Sequence, residues 1–360
     1  MKIVQVTTEL TLAGAEKVIL ELCKGLVKKG HALSVVALKE IPDDKSQTIY
    51  QELDELGVKI YSLNLSLFSI FNIFKLKKII RSLAPDLIHS HLIHANILCR
   101  IFSPKWIPLV NTVHIAERRA GKWWHFFLDK MTFSKCNVQT CVSKAVAEYH
   151  SGKIGVSPEK LPVVYNGLSF PEKKTDEELR ALKVEWGFED CSKIIGSVGR
   201  LNQQKGYDWF LKLLKNFSVS DGETFGIVIL GEGEERENLE NIARDLGPEI
   251  KCIFPGFRKD AAQCIAAFDC FVMPSNYEGF GLTLIEAMAQ GVPILAHAVD
   301  SLPELMAYYE NGECLTKEHF LEGLARVLSL PKKNGVYKFS ADNMVAQYLE
   351  IYKKVLAGES

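Results

Sequence analysis

The sequence predicts an α/β protein made of two domains, each built on a parallel β-sheet. A chain of 360 residues is long for one hydrophobic core and comfortable for two. Short apolar runs alternate with amphipathic segments along the whole chain, which is the pattern of successive βαβ units. The charged stretch 171–178 separates two similar halves, so we place the domain boundary near residue 170.

In the first half, residues 2–7 are predicted to form a strand and 14–29 a helix that Gly30 ends. Further strands are predicted at 35–38, 108–114, 138–142 and 161–165. The second half repeats the alternation, with strands at 193–198, 226–230, 251–254, 269–273 and 292–296. Helices are predicted from 206, through 240, over 282–290 and, at the end of the chain, over 340–356.

The composition narrows the class of protein. Hydrophobic residues make up 47% and charged residues 24% of the chain, as in a soluble globular protein. The formal net charge of -1 gives no overall attraction to nucleic acid. Nine scattered cysteines without a C-x-x-C pair indicate reduced thiols rather than a zinc site. No apolar run approaches the ~20 residues of a membrane span, and the first strand leaves no room for a signal peptide. We therefore expect a cytoplasmic protein.

The loop that follows the strand at 269–273 carries the main candidate site. Glu278 and Gly281 lie in this loop, and Glu286 is placed on the first turn of the next helix. Ligands of open α/β sheets bind at the carboxyl ends of strands. The N–H groups of Phe280 and Gly281 at a helix N-terminus suit an anion, and carboxylates accept hydrogen bonds from sugar hydroxyls. The pattern predicts a site for a phosphorylated, hydroxyl-rich molecule, unless Glu286 only faces its helix dipole and Glu278 is solvated.

Two other loops carry candidate residues. Arg200 and Lys205 are the only cations of the loop 197–206, where a planar guanidinium and a compact ammonium would suit a diphosphate. They could instead be solvated. His114 ends the strand at 108–114, where it could equally be a packed imidazole. His89, His91 and His94 invite a metal interpretation, but their spacing fits neither one strand face nor one helix face.

The segment Ser-Asn-Tyr-Glu-Gly-Phe-Gly-Leu with Glu278 and Glu286 closely resembles the E-x7-E motif of retaining glycosyltransferases of the GT-B fold, family four. The loop at 11–16 resembles the family's Gly-Gly-Ala-Glu loop, with Ala13 in place of the first glycine. Other motifs of the family match in order: P-D-x-x-H-x-H at 85–91, G-R-L-x-x-x-K-G at 199–206 and G-x-G at 231–233. The resemblance runs from Lys2 to about Tyr352.

This resemblance implies a fold and a set of roles. Two Rossmann-like domains would face a cleft: an acceptor-binding domain at 1–169, completed by the last helix at 338–360, and a nucleotide-sugar-binding domain at 170–337. His114 would reach the donor sugar and Glu278 would hold hydroxyls of that sugar. Arg200 and Lys205 would clamp the diphosphate. Further donor contacts are implied at Gly14, Gly231, Arg258, Phe280, Gly281, Leu282 and, on the ribose, Glu286.

The implied reaction moves a sugar from a UDP- or GDP-sugar to a hydroxyl of a glycan or lipid-linked acceptor, with retention of configuration. It requires no metal or other cofactor, and it would serve cell-surface polysaccharide or lipopolysaccharide synthesis. Two other classes stay open. One is a sugar-nucleotide epimerase or a phosphorylase on the same fold. The other is a non-catalytic protein that binds a nucleotide sugar.

Two segments of the first half combine cations with aromatic or apolar residues. The segment 116–135 contains Arg118, Arg119, Lys122, Trp123, Trp124, Phe126 and Phe127, and the segment 65–83 contains Lys75, Lys77, Lys78 and Arg81. We expect most of these aromatic side chains to pack in the core, as helical stripes usually do. The same mixture is typical of interfacial segments, and it predicts peripheral contact with an anionic membrane, at the inner face of the cell membrane.

Overall fold

The computed structural model describes residues 1–43, 45, 48–65, 72–115, 123–217 and 223–359. The chain divides into two compact units. The first comprises Met1–Ser169 together with Phe339–Ser360, and the second comprises Phe170–Lys338. Arg118, Arg119 and Lys122 lie outside the described residues.

The first unit is built on a parallel sheet in the order β3-β2-β1-β4-β5-β6 within the described residues. Its strands are β1 (Lys2–Thr7), β2 (Ala32–Ala37), β3 (Lys59–Ser62), β4 (Leu87–His91), β5 (Leu109–Val113) and β6 (Val138–Cys141). Its helices up to residue 169 are α1 (Gly14–Lys28), α2 (Tyr50–Glu55), α3 (Ile73–Leu83), α4 (Ile93–Phe102), α5 (Trp123–Thr132) and α6 (Lys144–Ile154). The strand order reverses between β1 and β4, which is where ligands bind in such sheets.

The second unit repeats this architecture, with parallel strands in the order β12-β11-β10-β7-β8-β9. Its strands are β7 (Lys193–Val198), β8 (Phe225–Leu230), β9 (Ile250–Gly256), β10 (Cys270–Met273), β11 (Ile294–His297) and β12 (Gly312–Leu315). Its helices are α7 (Asp176–Glu185), α8 (Tyr207–Leu214), α9 (Arg236–Arg244), α10 (Ala261–Cys264), α11 (Leu282–Gln290), α12 (Leu302–Met306) and α13 (Phe320–Leu328). Here the reversal falls between β7 and β10.

The last helix, α14 (Ala341–Leu356), belongs to the first unit. Ser340 caps it by accepting a hydrogen bond from the Asn343 N–H. The helix packs closely on α1, because a Cβ atom added at Gly25 would lie 2.4 Å from Val345 Cγ2. Tyr352, on the same helix, is fully buried. The C-terminal segment is therefore part of the core of the first unit.

Two predictions about the first half are wrong. Residues 161–165 form no strand; they contribute only an isolated bridge between Cys141 and Val163. Pro162 has no backbone N–H to donate to a β-ladder. Only the residues beside it can therefore donate a hydrogen bond to the neighbouring strand. The aromatic residues of α5 do not pack mainly in the core, since Trp123 is 73% exposed and Phe127 54% exposed.

No helix among the described residues is both long and apolar enough to cross a membrane.

Candidate functional site

The candidate site of the second unit is assembled from loops at the carboxyl ends of β7, β8 and β9. The Gly199 N–H donates to the Leu230 carbonyl over 3.0 Å, and the Gly231 N–H donates to the Gly256 carbonyl over 2.9 Å. A Cβ atom at Gly231, where φ is +150°, would lie 2.0 Å from the Gly199 oxygen. Only glycine permits this approach, so Gly231 holds the loop that carries Arg200 against its neighbour.

The loop 199–206 is also tied to the loop that follows β10. The Asn276 N–H donates to the Gln204 carbonyl and its side-chain amide donates to the Gln203 carbonyl, both over 2.7 Å. Gly206 adopts a left-handed conformation with φ +67°, and a Cβ atom there would lie 2.2 Å from the Pro274 oxygen. These contacts determine how far Lys205, near the end of the loop 199–206, lies from the loop that follows β10.

Lys205 and Glu278 form an ion pair across these two loops. Lys205 Nζ lies 2.5 Å from Glu278 Oε1, and the side chains are only 17% and 7% exposed. The Ser275 hydroxyl donates to the same carboxylate oxygen over 2.8 Å. The Glu278 N–H donates to Asp300 Oδ2 over 2.9 Å. Two residues predicted to contact one ligand are thus brought into direct contact and held by two further polar groups.

Ser275 and Asp300 were missed by reasoning from the sequence. Ser275 lies inside the recognised motif, where its hydroxyl could have been noticed. Asp300 follows β11 and has no spacing relation to the motif, so only the fold brings it to Glu278. It adopts a left-handed backbone conformation with φ +46°, which costs on the order of 1 kcal/mol for a residue other than glycine.

Arg200 lies at the exposed edge of the same loop. Its guanidinium has no hydrogen-bond or ion-pair partner within the part of the chain that the structure describes. It is therefore available to an anion at the carboxyl ends of the strands, whereas Lys205 must share its charge with Glu278.

Helix α11 begins as predicted at Leu282, and Gly281 precedes it with φ +87°. Phe280 is buried. Glu286 is the fifth residue of the helix and lies on its second turn, not on the first turn as the sequence suggested. Its side chain is 6% exposed, so this carboxylate is placed inside the unit and is not solvated.

Arg258 is engaged by carboxylates of its own unit. Its Nε lies 2.9 Å from Asp260 Oδ1, and one terminal nitrogen pairs with Glu185. The hydrogen bond to Asp260 raises the pKa of Arg258 further above its usual range. Arg258, a predicted donor contact, thus lies two residues beyond β9, and its guanidinium is paired with the carboxylates of Glu185 and Asp260.

His114 belongs to a chain of buried hydrogen bonds in the first unit. Gln5 Oε1 lies 2.8 Å from His91 Nε2, and His91 Nδ1 lies 3.0 Å from His114 Nε2. Burial lowers the pKa of His114 to about 4 and holds that of His91 well below its usual range. Both rings are therefore neutral near pH 7.

These hydrogen bonds determine the tautomers of the His91 and His114 rings. The Gln5 oxygen can only accept, so His91 donates from Nε2 and accepts at Nδ1. His114 then donates from Nε2, which leaves a lone pair on its Nδ1. This nitrogen is buried and has no hydrogen-bond partner among the described residues. His114 is thus a neutral acceptor at the carboxyl end of β5.

Gly14 is the first residue of α1, and Ala13 precedes it in an extended conformation with φ -106°. An alanine adopts these angles without strain, so the departure from the family's glycine has no backbone cost.

The first histidine of β4 makes its hydrogen bonds inside the first unit: His89 lies 2.6 Å from the Tyr352 hydroxyl and 2.7 Å from Thr112 Oγ1. The described residues contain no group of three His, Cys, Asp or Glu arranged to hold a metal ion.

Two family profiles match adjacent parts of the chain. "Glycosyltransferase Family 4" matches residues 12–170 and "Glycosyl transferases group 1" matches residues 180–342. The chain belongs to this family of glycosyltransferases. It is an enzyme that transfers glycosyl groups, and its two parallel sheets are those of the GT-B fold.

Similarity to particular proteins extends over most of the chain. An uncharacterized glycosyltransferase of Methanocaldococcus jannaschii is 28% identical, over 92% of each chain. The UDP-Gal:alpha-D-GlcNAc-diphosphoundecaprenol alpha-1,3-galactosyltransferase of Escherichia coli is 24% identical, over 89% of this chain and 82% of its own. The crystal structure of Anabaena HepE in complex with UDP superposes with a TM-score of 0.76 at 19% identity, over 99% of this chain and 98% of the other.

Proposed function

We propose that the protein transfers a hexose from a UDP-sugar to a hydroxyl of a lipid-linked glycan, with retention of configuration, in the synthesis of a cell-surface polysaccharide. The observation that carries this proposal is the Lys205–Glu278 ion pair beside the exposed Arg200. One loop supplies two cations for a diphosphate, and the other supplies a buried carboxylate for sugar hydroxyls.

The bond between the anomeric carbon and the oxygen of the β-phosphate breaks, and the acceptor oxygen bonds to that carbon. Negative charge grows on the leaving diphosphate, where Arg200 and Lys205 stabilise it. An oxygen of the same phosphate takes the proton of the acceptor hydroxyl. Since Glu278 is held by Lys205 and Ser275, it positions the sugar and is not assigned the role of a covalent nucleophile.

Two similar proteins support the choice of donor and acceptor. The Escherichia coli relative uses UDP-galactose and a sugar on diphosphoundecaprenol. HepE of Anabaena was crystallised with UDP. Both observations favour UDP over GDP as the nucleotide, and the first favours a polyprenyl diphosphate as the anchor of the acceptor.

The test is release of UDP from a panel of UDP-hexoses, with and without N-acetylglucosamine on diphosphoundecaprenol. We expect acceptor-dependent UDP release with one hexose, and a product whose anomeric proton coupling in NMR shows the configuration of the donor. An inverted product would contradict retention. Interconversion of the free UDP-sugars without an acceptor would identify an epimerase and overturn the proposal.

A further inference from the structure

Asp300 lies in a tight turn that glycine would form without strain. The Leu302 N–H donates to the Val299 carbonyl over 3.0 Å, so residues 299–302 form a β-turn with Asp300 at its second position. Asp300 has φ +46°, and Ser301 at the third position has φ -77°. A positive φ at the second position of a turn is adopted most easily by glycine. The backbone conformation therefore opposes any side chain at position 300.

The turn is held firmly by its surroundings. Ser301 and Leu302 are fully buried. A Cβ atom added at Gly281 would lie 2.9 Å from Leu302 Cδ2, so the turn packs against the start of α11. Among the described residues of the second unit, Asp300 is the only residue other than glycine with a positive φ. Backbone strain that the surrounding structure maintains at one position is a reason to ask what the side chain there does.

The side chain of Asp300 holds the backbone of Glu278. The Glu278 N–H donates to Asp300 Oδ2 over 2.9 Å, and this bond joins the turn after β11 to the loop after β10. The backbone nitrogen and Cα of a residue determine the direction in which its Cβ atom points. The bond from Asp300 therefore orients the carboxylate that Lys205 and Ser275 hold at its other end.

The preceding residues of the same loop are held through their carbonyl groups. Three side chains of the second unit bond to these carbonyls over 2.8 to 3.2 Å: Trp209 to Pro274, His297 to Ser275 and Gln204 to Tyr277. These bonds place the loop as far as residue 277. Asp300 supplies the bond to Glu278 itself, so it acts on the residue predicted to hold the donor sugar.

We propose that Asp300 is a positioning residue for sugar transfer: through the backbone of Glu278 it fixes the carboxylate that holds hydroxyls of the donor sugar, and it thereby contributes to the choice of hexose. The inference deepens the proposed function, on which it rests for the role of Glu278. Asp300 is assigned no contact with the nucleotide. Turnover should therefore depend on the hydrogen-bond acceptor at position 300, whereas stability should also depend on backbone strain there.

Three variants separate the acceptor from the strain. Asp300→Asn keeps an acceptor on a residue that tolerates a positive φ, Asp300→Gly removes both the acceptor and the strain, and Asp300→Ala removes only the acceptor. We expect Asp300→Asn to stay within ~3-fold of wild-type turnover, and the other two variants to lose ~10-fold or more, about equally. The urea midpoint of Asp300→Ala should lie ~0.3–1 M below that of Asp300→Gly. Near-normal turnover of Asp300→Gly would overturn the proposal.

Two further measurements distinguish positioning of the sugar from general damage to the site. In Asp300→Gly, calorimetric UDP affinity should stay within ~2-fold of the wild type. The ratio of kcat/KM for the preferred UDP-hexose to that for its epimer should fall several-fold, to roughly a third or less. Loss of UDP affinity in parallel with turnover, or unchanged discrimination between the epimers, would contradict the assigned role.

The matched control is Ala84→Gly, at a residue of the first unit with φ +43°. It relieves a similar backbone conformation far along the chain from Glu278, so it should raise the urea midpoint and leave turnover unchanged. A loss of turnover equal to that of Asp300→Gly would overturn the assignment. Normal transfer by both the wild type and Asp300→Gly would refute only this inference, whereas absence of transfer by the wild type would refute the proposed function.

Discussion

Arg200 and Lys205 lie in one loop but differ in what their removal would do. Arg200 is exposed and unpaired within the described residues, so its loss removes only what it does for a ligand. Lys205 neutralises the buried Glu278, and its loss would leave that carboxylate without a partner. We therefore expect substitution of Arg200 to affect catalysis alone, and substitution of Lys205 to affect both catalysis and stability.

We predict that Arg200→Ala slows transfer roughly 10²-fold, on the order of 3 kcal/mol, and changes the free energy of unfolding by less than about 0.5 kcal/mol. Lys205→Ala should slow transfer and also lower the free energy of unfolding by about 2 kcal/mol, between the values for exposed and buried pairs. Initial rates at saturating UDP-sugar and urea unfolding measure the two effects. Near-normal turnover of Arg200→Ala would remove the assigned role.

His114 should act through the lone pair on its Nδ1. We predict that His114→Phe, which keeps a ring but no acceptor, lowers turnover and leaves UDP affinity unchanged. His91→Leu, which removes the partner of His114 Nε2, should lower turnover less and shift its dependence on pH. Turnover and calorimetric UDP binding are measured on the same preparations. Parallel losses of both would show that His114 is a structural residue.

At the scale of secondary structure, the sequence predicted the strands and helices that are marked by a local sequence pattern. Strands β1 and β7 and helix α11 have the predicted bounds, because apolar runs and glycine boundaries mark them. It did not predict the isolated bridge at Val163 or the exposure of the aromatic residues of α5. The first depends on Cys141, and the second on Arg100, which pairs with the buried Asp129 of α5; both partners are distant in sequence. The Lys205–Glu278 pair was likewise a contact that only the packed loops create.

The contact between the loop 199–206 and the loop after β10 can be tested with two glycines of equal conformation. Gly206 and Gly187 have φ +67° and +68°, but a Cβ atom meets the Pro274 oxygen at 2.2 Å at the first position and nothing within 4 Å at the second. Gly187→Ala should cost ~1 kcal/mol of unfolding free energy from backbone strain alone. Gly206→Ala should cost clearly more and weaken UDP binding. Equal costs would mean that the loops adjust without loss.

For the whole molecule, buried neutral histidines link stability to pH. Burial holds the pKa values of His89 and His91 well below the usual range and lowers that of His114 to about 4. The unfolded chain takes up these protons near pH 6.5 and the folded chain does not. The histidine contribution is therefore present above pH 6.5 and is lost as the pH falls towards the folded pKa.

We predict that each such histidine lowers the free energy of unfolding by ~2 kcal/mol between pH 7 and pH 5. His91→Gln should remove about one such contribution from the pH dependence. His319→Gln, at a side chain that is 65% exposed, is the control and should remove none. Urea unfolding at the two pH values measures this; equal stability of the wild type at pH 7 and pH 5 would contradict it.

Calorimetric titration of the full chain with UDP tests directly whether the loops of the second unit bind the nucleotide. We expect one site per chain, weakened by Glu286→Ala and by Arg200→Ala by ~1.5–3 kcal/mol each, the cost of losing a hydrogen bond to a charged group. The same titration of His114→Phe should match the wild type. UDP affinity that both Glu286→Ala and Arg200→Ala leave unchanged would show that the nucleotide does not bind at the loops of the second unit.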